Sequence, residues 1–391
     1  MSGRRVLLGL TAGLLAWGTV AGPGVAVAAP ARTAAPPAGV QAALDRIVAD
    51  GVPGVIAYGR ENGRAWRATS GVADLATGAP ARPNDRVRIG SDTKAFVSTV
   101  LLQLEGEHRL SLSDSVERWL PGLVPNGAAI TLRELLNHTS GLYNYTDDPR
   151  VLGPYLRGDR SYYWAPRDLV GVAVSHPPLF PPGTRWSYSN TNYIVAGLVI
   201  EAVTHHDPVA EVYRRIIRPL GLTDTYFPVR DPDIRGPHAH GYLTNLPPGG
   251  PLPAGTVDVT EFSPSWAWTA GAIVSTAADL ARFHRALIGG RLLRPAQQRE
   301  LMTTVPAGDA AYGLGVGTVP LPCGTVWGHS GDFLGYLTYG YLTPDLSRQA
   351  VLMATSDRVL SDQAQQDISA AFTLALCGSA AGAPQLVSAF R

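Results

Sequence analysis

Three short segments hold residue types that can do chemistry together. The first runs Ser91-Asp92-Thr93-Lys94, and Lys94 is the only lysine in 391 residues; arginine fills every other basic position among the 32. Arginine keeps its proton under ordinary conditions and lysine can release one, so a lysine retained against that bias marks a place where a proton moves. Ser91 lies three residues earlier, which on a helix sets both side chains on one face about 5–6 Å apart. The second segment, Tyr188-Ser189-Asn190, puts a phenol and an amide two residues apart on a loop entering a helix. The third, His329-Ser330-Gly331, lies on a strand; Gly331 lets a substrate backbone approach closely and leaves the next amide N–H able to donate. Each segment is common alone, and the three in this order make a far more specific pattern.

Other candidates are weaker. Gly328-His329-Ser330-Gly331-Asp332 resembles a G-x-S-x-G elbow but has Asp332 where glycine is required, which demotes Ser330 as a nucleophile. His238 and His240, and the pair His205-His206, lack a matching carboxylate cluster, so no metal is expected. Asn137-His138-Thr139 and Asn144-Tyr145-Thr146 match the glycosylation acceptor pattern.

The elements that must carry these residues alternate between two textures. Val40 to Gly51 has Leu44, Ile47 and Val48 at helical spacing, and "PGVIAYGRE" and "AWRATSGVAD" read as strands about the turn "NGR". "RVRIG" then gives way to a helix with Phe96, Val97, Val100, Leu101 and Leu104 on its buried face, which sets Ser91 at a helix N-terminus. Residues 105–261 read as short helices broken by Pro and Gly, the most irregular part running from Val229 to Thr260. "AYGLGVGTV", "GTVWGHSG", "GYLTYGYLTP" and "SRQAVLMATS" follow as strands, the last two turning at Pro344-Asp345, and Ser361 or Asp362 caps a final helix. Short turns between sequential strands imply an antiparallel sheet that the N-terminal hairpin completes. The expected organisation is a sheet-containing α/β lobe over 40–104 and 262–391 and a helical lobe over 105–261.

At 45% hydrophobic and 16% charged, the chain has ample material for a large core. Arg4 and Arg5, an apolar run from Val6 to about Val20 and the small-x-small site Ala26-Val27-Ala28 read as a secretory signal over residues 1–28, an uncleaved anchor being the alternative. A mobile Pro/Ala linker is expected over 29–39. Cleavage would leave 30 basic against 31 acidic residues, a balance that favours no nucleic acid. Export also bears on Cys323 and Cys377: in an oxidising compartment they can form one disulfide, and two buried thiols are the other reading.

Ser91-x-x-Lys94, Tyr188-x-Asn190 and His329-x-Gly331 resemble the three motifs of the penicillin-recognising serine hydrolases, in particular the branch of the Streptomyces-type D-alanyl-D-alanine carboxypeptidase and the class C β-lactamases. "LLNHTSGL", "PLGLTDTYF", "AGAIVSTAADL" and the cysteine pair look like that branch too, so the likeness runs from about 40 to 378. It implies an α/β fold of the α+β type, an antiparallel sheet flanked by helices plus an all-helical lobe, with the site between them. By the same resemblance Ser91 would be the nucleophile that forms an acyl-enzyme, with Lys94 and Tyr188 taking and returning its proton, either being the base. Asn190, His329, Ser330 and Gly331 would bind substrate, and the backbone N–H groups of Ser91 and Asp332 would form the oxyanion hole. No cofactor is implied. The substrate would be a small molecule or peptide: an acyl-D-Ala-D-Ala peptide first, an ester, amide or β-lactam next, with a penicillin-binding sensor that acylates and stops as a different class. One departure concerns the carboxylate of such a peptide. The family's exopeptidase has an arginine ahead of the third motif, whereas this chain has none between Arg299 and Arg348, leaving His329, if protonated, and the Ser330 hydroxyl.

Overall fold

The turn Asn62-Gly63 sets how the sheet begins. Both residues sit at positive φ, 47° and 84°, the twist that suits a two-residue hairpin, and they join β1 (Gly54–Glu61) to β2 (Arg64–Asp74). The computed structural model describes residues 1–3, 34–246, 254–356 and 361–384. Residues 33–391 cluster as one unit and residues 1–32 as another, so the segment read as a signal lies almost wholly outside the described residues. Among the described residues no helix is long and apolar enough to cross a membrane.

Seven further strands extend the hairpin: β3 (Ala79–Pro80), β4 (Val305–Ala307), β5 (Ala310–Tyr312), β6 (Gly317–Leu321), β7 (Gly324–Phe333), β8 (Tyr336–Leu342) and β9 (Arg348–Ala354). They form one nine-stranded sheet in the order β3-β2-β1-β9-β8-β7-β6-β5-β4, antiparallel throughout. The N-terminal hairpin does complete the sheet, through β1 against β9. Alternation along β1 separates two cores: Val55 and Ala57 pack with α1 (Val40–Ala49) and the C-terminal helix Asp362–Cys377, while Ile56 packs with the helices on the other face. The fold is thus the mixed α/β architecture expected, a large antiparallel sheet with helices on both sides.

Two of those helices are surrounded. In α2 (Thr93–Gly106) and α3 (Thr191–Thr204), 12 of 14 residues are buried in each, so they run through the core rather than along its surface. Side chains projecting from their N-termini therefore have a rigid base.

The structure corrects several expectations. "AYGLGVGTV" is not one strand: Gly315 turns at φ +79° with its Cα against Ser98 and Tyr193, which splits the run into β5 and β6. The 105–261 segment is not all helical, because Tyr242–Leu246 pairs with Gly255–Asp258 inside the stretch read as irregular. The far end of the Pro/Ala linker is tied down, Ala34 N–H donating to Ala65 O at 2.8 Å. Ser361 is the final helix cap, its hydroxyl accepting from Ala364 N–H.

Cys323, in the β6–β7 turn, and Cys377, ending the last helix, form a disulfide with Cα atoms 5.4 Å apart. It closes a 54-residue separation and pins that helix to the sheet. Replacing Cys323 with serine is expected to lower stability by roughly 2–4 kcal/mol, read as a drop in Tm. A mass matching two free thiols in protein purified under oxidising conditions would contradict the bond.

Candidate active site

Glycines bring the first and third motifs together. Gly90 opens a 3-10 turn, Gly90–Asp92, that leads into α2, and it sits at φ +51°. A Cβ there would come within 2.6 Å of the Asp332 nitrogen, and a Cβ at Gly331 would overlap the carbonyl of Ile89. Only with hydrogens at both positions can the turn lie flat on β7. Ser91 and the Asp332 backbone then border one cavity of about 220 Å³.

Lys94, the second residue of α2, is fully buried, and its Nζ meets an acceptor in each of three directions: Ser91 Oγ at 2.9 Å, Asn190 Oδ1 at 2.7 Å and Ala270 O at 2.8 Å. Aromatic faces close the remaining sides, Tyr188 at 4.9 Å and Tyr193 at 5.4 Å from Nζ. The Ser–Lys spacing expected from the sequence is therefore a hydrogen bond. Ala270 belongs to a short helix, α4 (Trp268–Gly271), held against α3 where Gly197 abuts Thr269.

Asn190, just before α3, is oriented by residues that the sequence reading missed. Its backbone N–H donates to Asn144 Oδ1 at 3.0 Å and its Nδ2 to Thr146 Oγ at 3.1 Å, leaving Oδ1 for Lys94. These two residues belong to the second glycosylation-like triplet, whose polar groups are spent internally. The first is spent as well, Asn137 Oδ1 accepting from both the N–H and the hydroxyl of Thr139. Tyr145, between Asn144 and Thr146, lines the cavity and donates to Trp266 O at 2.6 Å, fixing the opposite wall.

Tyr188 stacks obliquely on His138, ring centroids 4.3 Å apart. His138 is buried, and its Nδ1 accepts from Ser189 N–H at 3.2 Å, which puts the ring proton on Nε2. Burial and the nearby Lys94 charge hold its pKa well below the ordinary imidazole value.

The third motif departs from expectation. His329 is 1% exposed and does not line the cavity; its Nε2 meets Tyr312 Oη at 2.8 Å and its Nδ1 the Ser330 carbonyl. Burial, with Lys94 adding to it, pushes its pKa down to about 3, so it is neutral at physiological pH and supplies no cation for a carboxylate. Cross-strand pairing sets Ser330 beside Tyr339 and Asp332 beside Leu337, on the face of the sheet opposite His329 and Gly331. The Ser330 hydroxyl lies near the Tyr341 phenol there. Ser91, Tyr188, Asn190 and Asp332 thus share the cavity with Lys94 behind them, Gly331 shapes the contact with the turn, and the side chains of His329 and Ser330 stand apart.

Among the described residues no cluster of three or more His, Cys, Asp or Glu side chains is placed to hold a metal. His240 is paired with Asp258 at 2.7 Å rather than merely solvated. A buried amine bonded to a serine hydroxyl that lines the cavity, a phenol over that amine, and backbone amides beside the hydroxyl together suit acyl transfer through a covalent serine.

A model of the Beta-lactamase family matches residues 40–375. The chain belongs to that family. Among solved structures, this family member is similar to a D-stereospecific amidohydrolase from a Streptomyces species, with 39% identity, a TM-score of 0.78, and 88% of this chain and 99% of that one covered. Among curated proteins it is similar to the Bacillus subtilis protein named as penicillin-binding protein PbpX, 30% identical over 59% of this chain and 53% of that one. It is likewise similar to esterase EstB of Burkholderia gladioli, 28% identical over 68% and 78%. The match thus spans only about half of PbpX. The chain thus falls in a serine hydrolase superfamily with penicillin-binding protein, esterase and amidase neighbours.

Two buried neutral histidines give the family member an acid-sensitive core. Their folded pKa values lie below the unfolded one, so between about pH 6.5 and 3 the unfolded chain binds protons that the folded chain refuses, and stability falls as pH falls. Asp92, whose pKa burial raises, works in the opposite sense. Tm is expected to decline from about pH 7 to about pH 4, and His329→Gln to flatten that decline. Identical acid slopes in both proteins would remove His329 from the account.

Proposed function

We propose that this protein hydrolyses amides and esters of D-configured amino acids through an acyl-enzyme on Ser91, favouring uncharged leaving groups over a terminal carboxylate. One observation carries this reading: among the described residues no arginine, lysine or histidine lines the cavity, and its walls include Tyr145, Leu152, Trp266 and Leu334. The D-configuration is argued from the likeness to the D-stereospecific amidohydrolase, which matches over nearly its whole length.

In this reading Lys94 and Tyr188 take the Ser91 proton and return it to the leaving group, Asn190 holds the substrate amide, and the N–H groups of Ser91 and Asp332 receive the oxyanion. A D-alanyl-D-alanine carboxypeptidase ranks second, because a peptide's terminal carboxylate would enter a wall with no cation at a desolvation cost of several kcal/mol. A β-lactamase or a penicillin-binding sensor ranks below it. Residues 1–28 and the disulfide support export of the mature enzyme.

The test compares kcat/KM for D-phenylalanine amide, its L enantiomer, the D methyl ester and an acyl-D-Ala-D-Ala peptide. The D amide and ester are expected to exceed the peptide by about ten-fold or more. Peptide turnover matching or exceeding the amide would restore the carboxypeptidase reading. A fluorescent penicillin is expected to label Ser91, with labelling lost in Ser91→Ala, and a label on any other residue would sink the nucleophile assignment.

Lys94→Arg keeps the charge and loses the removable proton, so its activity is expected to fall by at least about a hundred-fold with the fold retained. An arginine variant of near wild-type activity would show that proton transfer does not pass through residue 94.

A further inference from the structure

Directly after Ser91 comes a fully buried acid with few partners. Asp92 and the facing His284, on the helix Ala277–Ile288 (α5), are both fully buried. Asp92 Oδ2 lies 2.6 Å from Thr338 Oγ on β8, and that hydroxyl also lies 3.1 Å from the carbonyl of Ile89, which precedes the nucleophile turn. Asp92 Oδ1 stands 3.2 Å from His284 Nε2 but off the line of a hydrogen bond, and neither atom has another hydrogen-bond partner among the described residues.

Counting hydrogens decides between two states. A threonine hydroxyl has one hydrogen, yet here it faces two acceptors, a carboxyl oxygen and a backbone carbonyl. If Asp92 were a carboxylate, Thr338 could donate to only one of them: either the anion would lose its short bond or Ile89 O would keep only the 3.3 Å contact from the Asp92 N–H, and at best the anion would have one short hydrogen bond, far fewer than a buried carboxylate requires. A charged pair with His284 would draw in to about 2.7–2.9 Å and align, which this contact does not. With a proton on Asp92 Oδ2 both short contacts are matched, the carboxyl donating to Thr338 Oγ and Thr338 donating to Ile89 O, and the Oδ1 that faces His284 carries no full negative charge.

We infer that Asp92 is a neutral carboxylic acid and a positioning residue, the head of a donor chain Asp92→Thr338→Ile89 that clamps the Ser91 turn to the centre of the sheet. The clamp adds to the Gly90 and Gly331 contacts, because Thr338 is the cross-strand partner of Gly331. The groups that face the site are His284 on α5, Lys94 on α2, and Tyr341 on β8, with His329 on β7 next to His284. Burial raises the Asp92 pKa against the pull of His284 and Lys94, in keeping with this state. A neutral Asp92 also places no anion beside Lys94, so it does not add to the hold on the lysine proton. The inference rests on Ser91 being the nucleophile for its kinetic arm, whereas the spectroscopic and stability arms stand without that reading.

The experiment uses Asp92→Asn, Asp92→Ala and Thr338→Val in the full protein. Asparagine is neutral, nearly the same shape, and can donate to Thr338, so it is expected to retain kcat/KM within about three-fold, while Asp92→Ala loses about ten-fold or more in kcat at little changed KM. Infrared difference spectra at neutral pH are expected to show a protonated-carboxyl band in the wild type that is absent from Asp92→Asn and shifted in Thr338→Val. In thermal melts the wild type should lose stability relative to Asp92→Asn as pH rises, because a folded pKa raised above the unfolded one stabilises at low pH and that gain disappears as the group ionises. Asparagine as damaging as alanine, or no protonated-carboxyl band, would overturn the inference. If Asp92→Ala does not fold, the infrared band and the Asp92→Asn kinetics still decide it. A failed Ser91 label with the band present would strike the nucleophile reading and leave the neutral acid in place.

Discussion

The site depends on one buried nitrogen. Removing the Lys94 amine from water is costly unless acceptors replace the water it loses, and the protein supplies them from three places far apart in sequence: Ser91, Asn190 and Ala270. Each acceptor has an anchor of its own. The Ser91 turn rests on β7 through Gly90, Asn190 is turned by Asn144 and Thr146, and the Ala270 segment is seated on α3 through Gly197. Satisfying Lys94 and assembling the catalytic geometry are therefore one requirement, and a change that loosens any anchor leaves a polar group unmatched in the core.

The surroundings of that nitrogen are polarisable and nearly free of formal charge. Tyr188 and Tyr193 offer ring faces, His138 and His329 are held neutral by burial, and the nearest carboxyl lies beneath the turn rather than in the cavity. In so dry a site a single proton shift changes the local field strongly, because little water is present to screen it. That makes the same constellation able to activate a hydroxyl and then protonate a leaving group, and it makes the protonation state of every buried neighbour matter.

Much of this was legible in the sequence, for physical reasons. The Ser–Lys pair is local to one helical turn, the hairpin at Asn62-Gly63 follows from backbone preference, and strands joined by short turns can only pair antiparallel. What escaped was set by register and burial. Whether His329 or Ser330 faces the site depends on how β7 pairs with β8, and alternation flips the answer with a one-residue slip. The neutrality of His329 depends on burial that no local pattern encodes. Asn144 and Thr146 show in the sequence only as part of a glycosylation acceptor pattern, because their partner, Asn190, lies more than forty residues downstream. His284 is farther still from Asp92, and the pair becomes visible only when α5 is laid on the sheet.

Chemistry and selectivity occupy different parts of the fold. The groups assigned to proton transfer in the proposed reaction project from around the starts of α2 and α3, helices buried on nearly every side, whereas the cavity wall comes from short or irregular pieces around 145–152, 266–271 and 332–334. Wall side chains such as Leu152 and Leu334 make none of the Lys94 bonds and can change without disturbing them, and likeness to penicillin-binding proteins, esterases and amidases at once is in keeping with such a division. The reaction type follows from the buried constellation. In the proposed reading the substrate follows from the chemistry of the wall, where the described residues offer aromatic and aliphatic surface and no cation.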